Sequence, residues 1–286
     1  MFSFGWGERV LASSLVIGLT AAAPLASTAA QQGNALPDFS SNFAGWVGLN
    51  GGGPFYEPVA GTPSHLSPIV SDPAHPFTPN GAGAQSTYRI PDLSNPNLMP
   101  WVKDRMKKDT DEILTGKKAA FSAQSACQPA GVPFFMGYGG PDPIVFLQTA
   151  RDVWLIWRED NQSRHVFMNV GHSANLKPSW YGESVGHYEG DTLVIDTIGM
   201  NTNTVVDIYR TPHTEKLHVV ERWRTVDDGK AMEVVFTVED EGAFYQPWTG
   251  KRRYRRVEQE DYEKICAENN THLFNFPIPV SERPDF

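Results

Sequence analysis

The stretch Leu217-His218-Val219-Val220-Glu221-Arg222-Trp223-Arg224-Thr225-Val226, then Asp227-Asp228-Gly229, then 231–239, decides the fold. Apolar and polar residues alternate in both segments, and the break between them has turn chemistry. A period of two marks strands, because successive side chains point to opposite faces. One face of the first segment carries Leu217, Val219, Glu221 and Trp223, and the other carries His218, Val220, Arg222 and Arg224. The first face is the apolar one and should look inward, which puts Glu221 among large apolar side chains. Burial raises a carboxylate's pKa unless a cation or hydrogen-bond donors hold it charged. Glu221 is therefore a candidate general acid or base. The alternative is a core ion pair with Arg222, Arg158 or Arg164.

The same period runs through 144–148, 152–158, 164–170, 192–197 and 245–257, with further candidates at 184–188 and 43–48. Short connections such as Glu189-Gly190-Asp191 imply sequential antiparallel pairing. Eight or nine strands in a meander close into a barrel or curl into a sandwich. The expectation is an all-β protein, an antiparallel meander barrel of lipocalin-like architecture. Residues 141–257 would form it and 258–286 a C-terminal tail. Residues 31–97, rich in Pro and Gly, read as an extended wrap. Within 98–140, Leu98, Trp101, Val102, Met106, Ile113 and Leu114 fall near helical spacing, with Pro100 suited to the first turn and Gly116 to the stop.

Residues 1–30 have the form of a signal peptide: Arg9, an apolar stretch from Val10 to Leu25, then the small residues Ser27-Thr28-Ala29-Ala30. Ser13, Ser14, Gly18, Thr20 and Pro24 interrupt the stretch, and a permanent span wants about 20 apolar residues. Cleavage is expected, with a periplasmic or secreted product; a retained anchor is the alternative. Cys127 and Cys266 suit one disulfide in an exported chain. Such a long loop would contribute up to about 4–5 kcal/mol; two buried free thiols are the alternative.

The segment Trp180-Tyr181-Gly182-Glu183-Ser184-Val185-Gly186-His187-Tyr188-Glu189-Gly190-Asp191-Thr192-Leu193-Val194-Ile195-Asp196-Thr197 is followed by His213 and by Leu217–Arg222. Together with Phe43-Ala44-Gly45-Trp46, Cys127 and Ile265-Cys266 it resembles an uncharacterised family of exported bacterial β-rich proteins. The family pattern has Arg-Trp where this chain has His187-Tyr188. The resemblance implies export and a β-rich body, and it implies no activity.

Several patterns invite chemistry. Gly182-Glu183-Ser184-Val185-Gly186 matches a nucleophile elbow, but that motif needs a helix behind the serine, and a strand pattern follows here. His213, His218 and Glu221 could suggest a metal, yet residues three apart on a strand face opposite ways, so no metal is expected. Asp196 ends a strand, and His172 and His213 lie in loops at strand ends, where they could position substrate or relay charge. Trp180, Tyr181, Trp223 and Arg222 are candidates to line a ligand cavity. Lys251-Arg252-Arg253-Tyr254-Arg255-Arg256 splits across two strand faces and reads as solvated or acid-paired.

The 286 residues carry 24 Lys+Arg against 33 Asp+Glu, a net charge of −9, with 40% hydrophobic and 12% aromatic residues. The balance argues against nucleic acid as a partner, and no nucleotide-binding or haem-attachment motif calls for a cofactor. The expected function is an exported pocket protein for a hydrophobic small molecule. It could be a cofactor-free acid–base enzyme using Glu221, His172, His213 and Asp196. The alternatives are a non-catalytic carrier and a structural envelope module. No stable membrane insertion is expected once the signal is removed.

Overall fold

The computed structural model describes residues 36–40, 44–49, 55–78, 89–116, 127–137, 143–158 and 162–258. The expected signal segment, Cys266 and the C-terminal tail beyond 258 lie outside them.

The period-two segments form strands close to where the pattern predicts. They are β1 (Ala44–Gly48), β2 (Glu57–Pro58), β3 (Ile144–Gln148), β4 (Asp152–Trp157), β5 (Gln162–Met168), β6 (Glu183–Glu189), β7 (Thr192–Ile198), β8 (His218–Val226), β9 (Ala231–Glu239) and β10 (Trp248–Glu258). Strands β3 to β10 follow one another in the sheet, β1 pairs with both β3 and β10, and the short β2 adds to β10. The result is the expected closed barrel, of nine strands. Strand β1 is the candidate at 43–48, so the ring includes a strand from outside 141–257.

One junction departs from the meander: β5 and β6 run parallel, pairing Val166 with Ser184 and Met168 with Gly186. Closure demands this. Neighbours that all alternate in direction cannot close an odd-numbered ring, so one pair must be parallel. A parallel pair needs a connection that carries the chain back to the end where it started. Residues 169–182 do so, crossing the outside of β6 and β7. Gly182 ends this route in left-handed backbone (φ 63°), and Gly199, just after β7 and packed against Leu176 of the route, is left-handed too (φ 74°).

The interior is filled by side chains. From one end, Phe39 meets Phe146 edge-on at 5.7 Å, Phe146 meets Trp223 at 5.3 Å, and Trp223 meets Tyr254 at 5.5 Å. Residues 36–40 plug that end: the Phe39 amide donates to Gln148 Oε1 at 2.7 Å, and Trp46 Nε1 donates to the Phe39 carbonyl at 2.9 Å. Phe55, Tyr56, Phe134, Phe135 and Met136 cover the other end, all buried. The Tyr56 hydroxyl donates to the Pro133 carbonyl at 2.7 Å, which ties this cover in place.

Helix α1 (Pro100–Leu114) starts at its proline and ends before Gly116, whose φ is 68°. It buries Val102, Met106, Thr110 and Ile113. A bridge between Leu98 and Phe244, and Met99 N–H to the Ala243 carbonyl at 3.0 Å, fix its entry. A four-residue helix, α2 (Phe134–Gly137), belongs to the apolar cover. Among the described residues no helix is long and apolar enough to cross a membrane.

Candidate functional site

Glu221 points inward as the alternation predicts, and its side chain is fully buried. Arg164 of β5 meets it with two guanidinium nitrogens, Nη2 to Oε1 at 2.6 Å and Nη1 to Oε2 at 2.9 Å. Trp223 Nε1 donates to the same Oε2 at 2.8 Å. Nη2 also approaches Ser184 Oγ at 3.0 Å and Thr197 Oγ1 at 2.6 Å, and Nε donates to Ser184 Oγ at 3.1 Å. Four neighbouring strands thus contribute to one satisfied polar knot. The core-ion-pair alternative describes it, with Arg164 as the partner. A general base needs an oxygen that a substrate can reach, and here both oxygens are occupied. Ser184 lies within β6 with its hydroxyl in the same knot, so the strand–turn–helix of a nucleophile elbow is absent.

His172 and Asp196, two of the other candidates, do meet, but on the outer face. His172, on the crossover, places Nδ1 3.1 Å from Glu183 Oε1 and Nε2 2.9 Å from Asp196 Oδ1. His218 of β8 faces the same Asp196 oxygen through Nε2 at 3.0 Å and Glu239 through Nδ1 at 3.2 Å. Strands β6, β7, β8 and β9 each give one outward residue to this chain of acids and imidazoles. The hydrogen bond from His218, helped by the one from His172, holds the Asp196 carboxyl below its ordinary value. Asp196 in turn raises the His218 pKa. Burial pushes Glu183 up, but hydrogen bonds from Ser173 and His172 outweigh it and hold the carboxyl low. Among the described residues no group of three His, Cys, Asp or Glu side chains is arranged to hold a metal ion.

His213 stands apart from both clusters. Its Nδ1 lies 2.8 Å from the Thr214 carbonyl, which only accepts, so Nδ1 carries the proton. Nε2 then takes the Thr204 hydroxyl at 2.8 Å. Burial lowers the His213 pKa, which favours this neutral form.

Thr204 also lines a cleft of about 940 Å³ between α1 and residues 202–212. Asp104, Arg105, Lys108 and Asp109 come from the helix, Trp180 from the crossover, and Arg210 and Pro212 from the loop. The loop is built on Asp207, a buried carboxylate that accepts the Tyr209 amide at 2.9 Å and the Thr211 hydroxyl at 2.8 Å. Burial pushes its pKa up to about 6 against those hydrogen bonds. This turn forces Arg210 into the left-handed region, at φ 62°. Arg210 Nε pairs with Asp109 Oδ2 at 2.5 Å, while its Nη2 is buried with no hydrogen-bond partner among the described residues. Sequence reasoning passed over Arg210, because nothing local marks a left-handed arginine.

The four residues expected to line a ligand cavity disperse. Trp180 lines this cleft. The Tyr181 hydroxyl bonds Gln162 and its ring packs edge-on to Phe135 at 5.8 Å. Trp223 is sealed in the core, and Arg222 is exposed and paired with Glu189. Cys127 is described and not free, whereas Cys266 lies outside the described residues. Comparison with family models, with curated proteins and with solved structures finds no match to this chain.

Proposed function

We propose that this chain is an exported binding protein that takes a small anionic molecule into the cleft between α1 and residues 202–212. Export is supported by the form of residues 1–30 and by the suitability of Cys127 and Cys266 for a disulfide. The observation that carries the binding site is Arg210. An arginine held in left-handed backbone, with one buried guanidinium nitrogen unpaired, is costly unless something repays it. A carboxylate or phosphate would complete its hydrogen bonding, and Trp180 offers a flat face in the same cleft. The charged lining favours a polar ligand over the hydrophobic one expected from the sequence. Catalysis through Glu221 loses support, because a proton carrier must be reachable.

The test is thermal unfolding of the mature protein against a panel of small carboxylates and phosphates, with native mass spectrometry for any co-purified molecule. A member of the panel should raise Tm in the wild type and leave Arg210→Met unchanged. If no anion shifts the wild type at millimolar concentration, the reading fails.

A further inference from the structure

The crossover 169–182 is held to the barrel by backbone only near its two ends. Asn169 N–H donates to the Gly186 carbonyl at 2.7 Å, and Ser179 N–H to the Gly199 carbonyl at 3.0 Å. Between them Val170, Gly171 and residues 173–175 are exposed. What fastens this middle part is Leu176, which lies against Gly199, and the contacts of His172 and Ser173. Ser173 gives its amide to Glu183 Oε1 at 2.7 Å and its hydroxyl to the other oxygen.

The histidine contacts have an unusual requirement. Both nitrogens of His172 face carboxylate oxygens, those of Glu183 and Asp196, and both nitrogens of His218 face Asp196 and Glu239. An ionised carboxylate only accepts. A neutral imidazole has one N–H, so its other nitrogen would set a lone pair against an oxygen. All four contacts are hydrogen bonds only when both rings carry two protons. The groups facing the two rings are Glu183 from β6, Asp196 from β7 and Glu239 from β9, and among the described residues no lysine or arginine forms an ion pair with these carboxylates. Doubly protonated, the two imidazoles would be the positive charges set between three carboxylates.

We infer that residues 170–178 form a proton-held strap, fastened over β6 and β7 while His172 and His218 are imidazolium and loosened when they lose their protons. The upward displacement of the His218 pKa fits the same geometry. Loosening is local, because the main-chain anchors at 169 and 179 do not titrate. It uncovers Glu183 and Asp196 on the outer sheet. The inference is independent of the anion cleft and stands if that reading fails.

Hydrogen–deuterium exchange of the full chain, followed by mass spectrometry from pH 5.5 to 8.5 and corrected for intrinsic exchange chemistry, tests it. Protection of peptides within 170–178 should fall at least about tenfold on passing from pH 6 to 8.5, the factor that 1.4 kcal/mol supplies. Peptides from β8 and β9 should keep theirs and so report an intact barrel. His172→Gln should leave the strap unprotected at every pH. His187→Gln, a change at an exposed histidine that meets Glu189 outside this cluster, should behave as the wild type. If His172→Gln folds poorly, Asp196→Asn supplies the same readout, since it removes the carboxylate both rings share. A wild-type strap equally protected at both pH values overturns the inference. So does a His172→Gln chain with an unchanged pH profile.

Discussion

Arg164 and Glu221, on strands separated in the barrel by β6 and β7, meet with two N–H···O contacts of 2.6 and 2.9 Å, both side chains fully buried. Removing one partner of such a pair leaves a buried charge uncompensated, at about 3–5 kcal/mol. Glu221→Gln and Arg164→Met should each lower unfolding stability on that scale. The double substitution should cost well under their sum, because no stranded charge remains. Urea unfolding of the four chains gives the coupling; additive losses would mean that the two groups do not act as a pair.

Asp207 gives a second prediction, with its own sign. Its folded pKa of about 6 lies above the ordinary 3.8, so the folded state binds the proton more tightly. Stability should therefore rise as pH falls from about 7 toward 4, by up to about 3 kcal/mol from this group. In Asp207→Asn that rise should vanish. Stability measured by denaturant at intervals across this range checks it.

The outer acid–imidazole chain works in the opposite sense at low pH. Asp196 is held below 3.8, so its contribution is present above that value and disappears as pH falls through the folded pKa. His218 is held above 6.5, so its contribution is present below that value and is lost as pH rises through the folded pKa. The cluster therefore contributes most between about pH 4 and 6.5. Asp196→Asn should lower stability most inside that window and little at pH 9. A loss of equal size at pH 5 and pH 9 would contradict this assignment.

Gly182 tests the crossover's geometry. A Cβ there would sit 2.2 Å from the Ile198 carbonyl oxygen, on backbone that is already left-handed at φ 63°. Left-handed strain alone costs about 1–3 kcal/mol, and the clash adds to it. Gly182→Ala should lower Tm clearly, whereas Gly190→Ala, at the same φ but with open space around it, should cost only the backbone share.

These features were unevenly legible in the sequence. The strands and the inward face of Glu221 follow from alternation, a local property. The pairing of His218 with Glu239 was also within reach, because the closure of Val226 on Ala231 fixes that register. It was missed because outward polar residues on a strand read as ordinary surface. Asp196 joining them was not derivable, since a long loop separates β7 from β8. The parallel junction was hidden for the same reason: alternation locates strands but does not order them, and only counting an odd ring reveals the reversal. The choice of Arg164 among three arginines required the barrel itself.

Ring closure has one more consequence. Ala44 pairs with Glu258 and Gly48 with Tyr254, so the earliest strand of the ring is completed by the last. A chain emerging from the ribosome must carry β1 unpaired on that side until some two hundred further residues have followed it. The ring thus cannot close before β10 is available, and whatever handles the nascent chain has to shield an open sheet edge until then.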